Sequence, residues 1–114
     1  MNIQEQFNQA IKNNDIKNVK LLLNHPKFNP ADNNNWTFRY ASMEGHYNIV
    51  KLLLNDHRVN PADNDNLAIR YASDRGHYDI VNLLWQDQRI KNNLQKDNEE
   101  LYNVLIKKDK INNF

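Results

Sequence analysis

Four histidines, His25, His46, His57 and His77, are the side chains best suited to metal ligation or proton transfer in a chain that holds no cysteine. A helical zinc site needs two histidines four residues apart with a carboxylate at hand. No pair here has that spacing. His46 and His77 instead stand 31 residues apart, each directly after a glycine at the opening of a helical pattern. Capping and hydrogen bonds between neighbouring copies are the roles that fit them. The chain's two glycines, Gly45 and Gly76, cannot build a phosphate-cradling loop or a nucleophile elbow. No catalytic residue, metal site or cofactor is expected.

Arg39 and Arg70 share the 31-residue spacing and would lie side by side in a stack. Such a pair could clamp carboxylates or phosphates of a partner, or pair internally with Asp32, Asp63 or Asp65. The internal ladder is the reading preferred, because repeated positions serve stacking. Trp85 falls in phase with Leu23 and Leu54, which makes it core. Trp36 is in phase with Leu67 at a helix start beside a loop, where packing and a binding hot spot fit equally.

These residues are set out by a repeat. Residues 19–49 return as 50–80 with no gap, and 20 of the 31 paired positions are identical. A fixed period in this range marks stacked supersecondary units, none able to bury its apolar face alone. The fold class expected is all-α: a solenoid of helix-turn-helix repeats with long, hairpin-like loops.

Ile3, Phe7, Ala10 and Ile11 give a first helix one apolar face, its other side polar as the end of a stack requires. Asn13-Asn14-Asp15 breaks it, and Asp15 caps a second helix carrying Ile16, Val19, Leu22 and Leu23. His25-Pro26 ends that helix. A polar connection from Phe28 to Asn35 leads to a helix over Trp36–Met43, closed at Gly45 by a left-handed cap. The helix that follows points Ile49, Val50, Leu53 and Leu54 inward. In the second copy the loop spans Asp56–Asn66, with helices near Leu67–Asp74 and Tyr78–Asp87. Phe28, Val59 and Ile90 recur as pegs that hold each loop to the stack. Beyond Ile90 the repeat decays, and Asp97-Asn98-Glu99-Glu100 opens a closing helix through an Asp97 cap, against which Ile111 and Phe114 fold back. Three helix pairs and one terminal helix are expected. The 22 asparagines, most of them between apolar segments, read as turn residues that tolerate left-handed backbone.

Lys and Arg total 15 against 14 Asp and Glu, which gives no bulk attraction to nucleic acid or membrane. The longest apolar runs are three leucines, and the N-terminus lacks the layout of a secretory signal. A soluble, intracellular, cytoplasmic monomer is expected.

The copy 36–66 resembles the ankyrin repeat. Ala41-Ser42 and Ala72-Ser73 match the family's Ala-Ala pair, and Gly45-His46 and Gly76-His77 its Gly-His. Ile49-Val50 with Leu52-Leu53-Leu54 matches its second helix, and Val59-Asn60 its loop. The period is 31 rather than about 33, and Trp36-Thr37-Phe38-Arg39 replaces the opening Thr-Pro-Leu-His. This short-period style resembles the ankyrin repeats of giant amoebal viruses, which would place the chain in host cytoplasm. The resemblance implies one domain over 1–114: a diverged N-terminal capping repeat (5–35), repeats at 36–66 and 67–97, and a capping half-repeat (98–114).

It also implies a non-enzymatic module that binds a partner protein through a concave face and loop tips, over roughly 800 Å² per partner. The positions so implicated are Asp32, Asn33, Asn35, Met43 and Glu44, then Asp63, Asn64, Asn66, Asp74 and Arg75, and Trp36 joins them on its hot-spot reading. Met43-Glu44 against Asp74-Arg75 is one of the few places where the copies differ inside a repeated helix. The alternative is a structural spacer or self-assembly element; an enzyme ranks third.

Overall fold

The apolar positions that recur at 31 residues also meet in space. The computed structural model describes residues 1–112, the side chains of Asn33, Asn34 and Asn112 excepted. Eight helices occur among them and no strand: α1 (Ile3–Lys12), α2 (Ile16–Leu23), α3 (Asp32–Glu44), α4 (Tyr47–Leu54), α5 (Asp63–Asp74), α6 (Tyr78–Trp85), α7 (Gln88–Asp97) and α8 (Glu99–Asn112). They stack as four pairs. In one layer α3 packs between α1 and α5, and α5 against α7. In the other α4 packs between α2 and α6. The result is an elongated body of 48 × 21 × 21 Å.

Each layer of the core is one sequence series. Phe7, Phe38 and Ile69 are fully buried on the first helices, with Ala10, Ala41 and Ala72 beside them. Val19, Val50 and Val81 do the same on the second helices. The pegs Phe28, Val59 and Ile90 are buried, and so is Trp85. Small residues in the alanine series let adjacent helices approach closely, and the larger series fill the space between layers.

Punctuation follows the expected chemistry. Asn14 takes φ 53°, and Asp15 Oδ1 accepts from the Asn18 amide at 3.2 Å to cap α2. Gly45 ends α3 at φ 81°, and Gly76 follows α5 at φ 77°. Gly45 is fixed twice over: a Cβ there would lie 2.7 Å from the His77 ring, whereas one at Gly76 would meet nothing.

Four expectations are corrected. The loops are not hairpins. Asn29 and Asn60 each accept the amide of the alanine two residues on, at 2.9 and 3.1 Å, and this Asx turn bends the chain round the buried Pro30 and Pro61. Helices α3 and α5 also begin earlier than expected, at Asp32 and Asp63. The opening of α5 is a left-handed turn, with φ 52°, 56° and 61° at Asn64, Asp65 and Asn66, so right-handed helix does start at Leu67. Asn35 likewise takes φ 58°. Asparagine and aspartate are the non-glycine residues that tolerate this region.

The third correction is α7, a helix not foreseen, which makes four pairs where three and a single helix were expected. Asp87 caps it by accepting the Arg89 amide at 2.9 Å, and Ile90 and Leu94, one turn apart, are its buried residues. Because Asp97 lies within α7, the cap of α8 is Asn98, whose Oδ1 accepts the Leu101 amide at 3.1 Å. Fourth, Ile111 does not fold back: it is 72% exposed. Phe114 lies outside the described residues.

Candidate protein-interaction surface

The side chains that could meet a partner are those left over once the stack has taken what it needs, and the stack takes more polar groups than the spacing indicated. Asn35 and Asn66 are the clearest case. At φ near 60° each side chain turns inward, and their exposures are 5% and 0%. Asn35 Nδ2 donates to Asp63 Oδ2 at 2.8 Å and its Oδ1 accepts the Asn60 amide at 3.1 Å. Asn66 Nδ2 donates to Asp97 Oδ2 at 2.8 Å. Both therefore sit inside the fold as bridges to the following copy and offer no surface. Asp63 is half committed as well, since its Oδ1 accepts the Asn64 amide at 2.9 Å.

A second set of bridges was not anticipated. Arg58 holds Asp56 through two contacts, Nε to Oδ1 at 2.9 Å and Nη2 to Oδ2 at 2.7 Å. The same guanidinium reaches back to the carbonyls of Phe28 at 2.9 Å and Leu23 at 3.1 Å in the preceding copy. Arg89 repeats this with Asp87, and donates to the Val59 carbonyl at 3.3 Å. Bidentate geometry with two further acceptors is what a guanidinium provides and an ammonium does not. Hydrogen bonds from the arginines hold the Asp56 and Asp87 carboxyls below their ordinary range, while partial burial pulls the other way. Arg58 and Arg89 are raised by the same pairing. The sequence carried a signal, since Asp-x-Arg recurs at 56–58 and 87–89. It is hidden when residues 19–49 are set against 50–80, where His25-Pro26-Lys27 stands opposite.

Arg58 and Arg89 thus form acid pairs that the spacing of Arg39 and Arg70 did not indicate. Arg70 Nη1 donates to the backbone carbonyl of Asp65, at 3.5 Å, and to no carboxylate. Arg39 is half-buried. His77 Nε2 donates to the Met43 carbonyl at 2.9 Å, the bridge between copies expected of it. His46 and His77 occupy helix-cap positions, but neither side chain makes a cap bond.

What remains outward on the first-helix layer is a strip along α3 and α5. Trp36, Tyr40 and Met43 are half-buried on α3, with Asp32 and Glu44 exposed at its ends. Trp36 stacks on Tyr40 with ring centres 5.0 Å apart and planes at 24°. On α5, Leu67 and Arg70 are half-buried and Tyr71 and Asp74 are exposed, as is Arg75 at its C-cap. Asn64 is half-buried at the loop tip. The side chain of Asn33 lies outside the described residues. The strip therefore joins Trp36, Met43, Glu44, Asp74 and Arg75, separates them from the buried Asn35 and Asn66, and adds Tyr40 and Tyr71. Those tyrosines were overlooked because they recur within Arg-Tyr-Ala-Ser and so read as scaffold.

Among the described residues no group of three His, Cys, Asp or Glu side chains could hold a metal ion, and no helix is long and apolar enough to cross a membrane. A family pattern described as "Ankyrin repeats (3 copies)" matches residues 7–96. No curated protein and no solved structure gives a match.

Proposed function

From the premise that the chain belongs to the ankyrin-repeat family, we propose that it is a non-enzymatic module that binds a partner protein through the strip on α3 and α5 and the adjoining loop tips. Ankyrin repeats are generally protein-interaction modules, and the family is generally non-enzymatic. The observation that carries the reading is the fate of the in-phase positions. Many of the repeated polar residues, among them Asn29, Asn35, Asn60, Asp63, Asn66 and His77, are spent on bridges and turns. At the ends of α3 and α5, Glu44, Asp74 and Arg75 are exposed and make no side-chain bond to the scaffold. Free of stacking demands, they can differ between copies and serve a ligand.

The test is charge reversal of Glu44, Asp74 and Arg75 together, assayed against a partner recovered by affinity capture. Loss of binding with an unchanged melting temperature is the result expected. Retained binding would remove this face from consideration. The same reading has the chain act as a monomer in the cytoplasm, with neither nucleic acid nor membrane as partner.

The second reading, a spacer that self-assembles end to end, draws on apolar residues exposed toward the two ends: Leu21 at 64% on α2, Val104 at 57% and Ile111 at 72% on α8. Sedimentation across a concentration series separates the two, since concentration-dependent oligomers lost on Leu21→Lys support the spacer. Against it stands the polar character of Gln6 and Asn18, which are exposed where Thr37 and Ile49 are buried in the next copy.

A further inference from the structure

The scaffold uses little of the hydrogen-bonding capacity of Arg70, which lies in the strip on the helix that packs against α3 and its Trp36–Tyr40 stack. Arg70 sits midway along α5, half-buried, and its hydrogen bond is a 3.5 Å contact to the Asp65 carbonyl. Among the described residues the ion pairs are Arg58–Asp56 and Arg89–Asp87, so neither Asp65 nor Asp74 pairs with it. Next to it on the same helix Tyr71 is 36% exposed. Across on α3 lies the Trp36–Tyr40 stack. Tryptophan, tyrosine and arginine are the residues that dominate binding energy at protein interfaces.

The geometry points to an acidic peptide segment as the partner: an aromatic or large aliphatic side chain lies on the Trp36–Tyr40 rings, and an Asp or Glu pairs with Arg70. This rests on the protein-interaction reading above and narrows its partner. The spacing follows from the stack. Helices that pack side by side have axes roughly 8–10 Å apart, and an extended chain advances about 3.3 Å per residue. A peptide crossing from α3 to α5 therefore places its carboxylate about three residues from its apolar anchor. A guanidinium takes a carboxylate bidentately. A single-stranded nucleic acid could also stack on rings beside an arginine. The exposed acids Asp32, Asp65, Glu44 and Asp74 at both ends of the strip oppose a polyanion and tolerate one carboxylate.

Panning a random peptide library on the full chain tests this directly. Enriched peptides should pair an aromatic or large aliphatic residue with an Asp or Glu about three positions away. A synthetic peptide of that sequence should bind at least about tenfold more weakly to Arg70→Gln and Arg70→Glu. Replacing the peptide's acid by Lys should restore binding to Arg70→Glu, a rescue that general loss of fold could not give. Arg70→Gln keeps the test valid should the Glu variant not fold.

Enriched peptides without an acid, no enriched peptide, or undiminished binding to both variants would overturn the inference. So would a homopolymeric oligonucleotide bound through the same residues when no acidic peptide is. Peptides that bind the strip with no preference for acids would overturn this inference alone. Binding untouched by reversal of Glu44, Asp74 and Arg75 would overturn the broader reading.

Discussion

The two loop tips are built from nearly the same residues, Asn29-Pro30-Ala31-Asp32 through Asn35 and Asn60-Pro61-Ala62-Asp63 through Asn66, yet they do not end in the same bonds. In the first tip both ends of the Asn35 amide are used, one by Asp63 and one by the Asn60 backbone. In the second tip Asn66 Nδ2 finds Asp97, but its Oδ1 is buried without a partner. The reason lies one period further on. The residue in phase with Asn60 is Lys91, and its amide is already committed to the Asp87 carbonyl at 3.2 Å inside α7. A copy's polar network is thus completed by the copy that follows it. Where the repeat gives way to α7 and α8, one acceptor is stranded. An orphaned buried acceptor costs about 1–3 kcal/mol, so this tip is the weaker of the two.

Substitutions made in phase measure how far the two copies are equivalent. The largest effects should be equal. Phe38→Ala and Ile69→Ala each empty a fully buried position, and each should cost about 3–4 kcal/mol by chemical denaturation. A difference well beyond that range would show that the copies do not share one core. Next come the glycines, which should differ. Gly76→Ala bears only the left-handed backbone penalty, about 1–2 kcal/mol. Gly45→Ala adds a clash with His77 and so threatens its bond to the Met43 carbonyl. Its melting temperature should fall visibly further, and equal shifts would argue that His77 is free to move.

Acid should act on the arginine bridges, and on the later copies only. The folded Asp56 and Asp87 carboxyls lie below the unfolded value of 3.8. Their pairing therefore contributes stability that is fully present above that pH and is lost as pH falls through the depressed folded values. Arg58→Ala should cost about 1–2 kcal/mol near neutrality and progressively less as pH falls below 3.8 and through the depressed folded value of Asp56. Lys27→Ala at the in-phase, exposed position of the first copy should change stability little at either pH. A pH-independent cost for Arg58→Ala would show that its bonds to Phe28 and Leu23 carry the whole effect.

The smallest effect concerns the left-handed turn. Asp65→Gly, at an exposed position with φ 56°, should stabilise slightly, by a few tenths of a kcal/mol. A loss would mean that the side chain has a role beyond tolerating its backbone.

These contrasts also separate what could be read in the sequence from what could not. The pegs Phe28, Val59 and Ile90, the caps at Asp15 and Gly45, and the burial of Trp85 were legible because each is a single position whose chemistry and period agree. Helix α7 was not, because Ile90 and Leu94 are two apolar residues in an otherwise polar segment. Packing against α5 and α8 forms that helix more than its own pattern does. The inward turn of Asn35 and Asn66 was illegible for a different reason. Asparagine is ordinarily a surface residue, and only the left-handed backbone reveals that the side chain points back into the stack.

The Asp-x-Arg bridges teach a further point. Disagreement between the first two full copies marks surface at Glu44 and Arg75, but at Asp56 and Arg58 it marks scaffold that the first copy lacks. Difference between copies therefore identifies candidate contact residues only after burial and bonding have been accounted for.

The most direct test of the claim that each copy is completed by its successor is the paired denaturation of Asn35→Ala and Asn66→Ala. Both place alanine at a left-handed position, so that penalty cancels in the difference. Asn35→Ala strands the Asn60 amide and frees Asp63 Oδ2, whereas Asn66→Ala also deletes an acceptor that had no partner. The account predicts that Asn35→Ala is the more destabilising by about 1 kcal/mol or more. Equal costs, or a larger cost at Asn66, would contradict it.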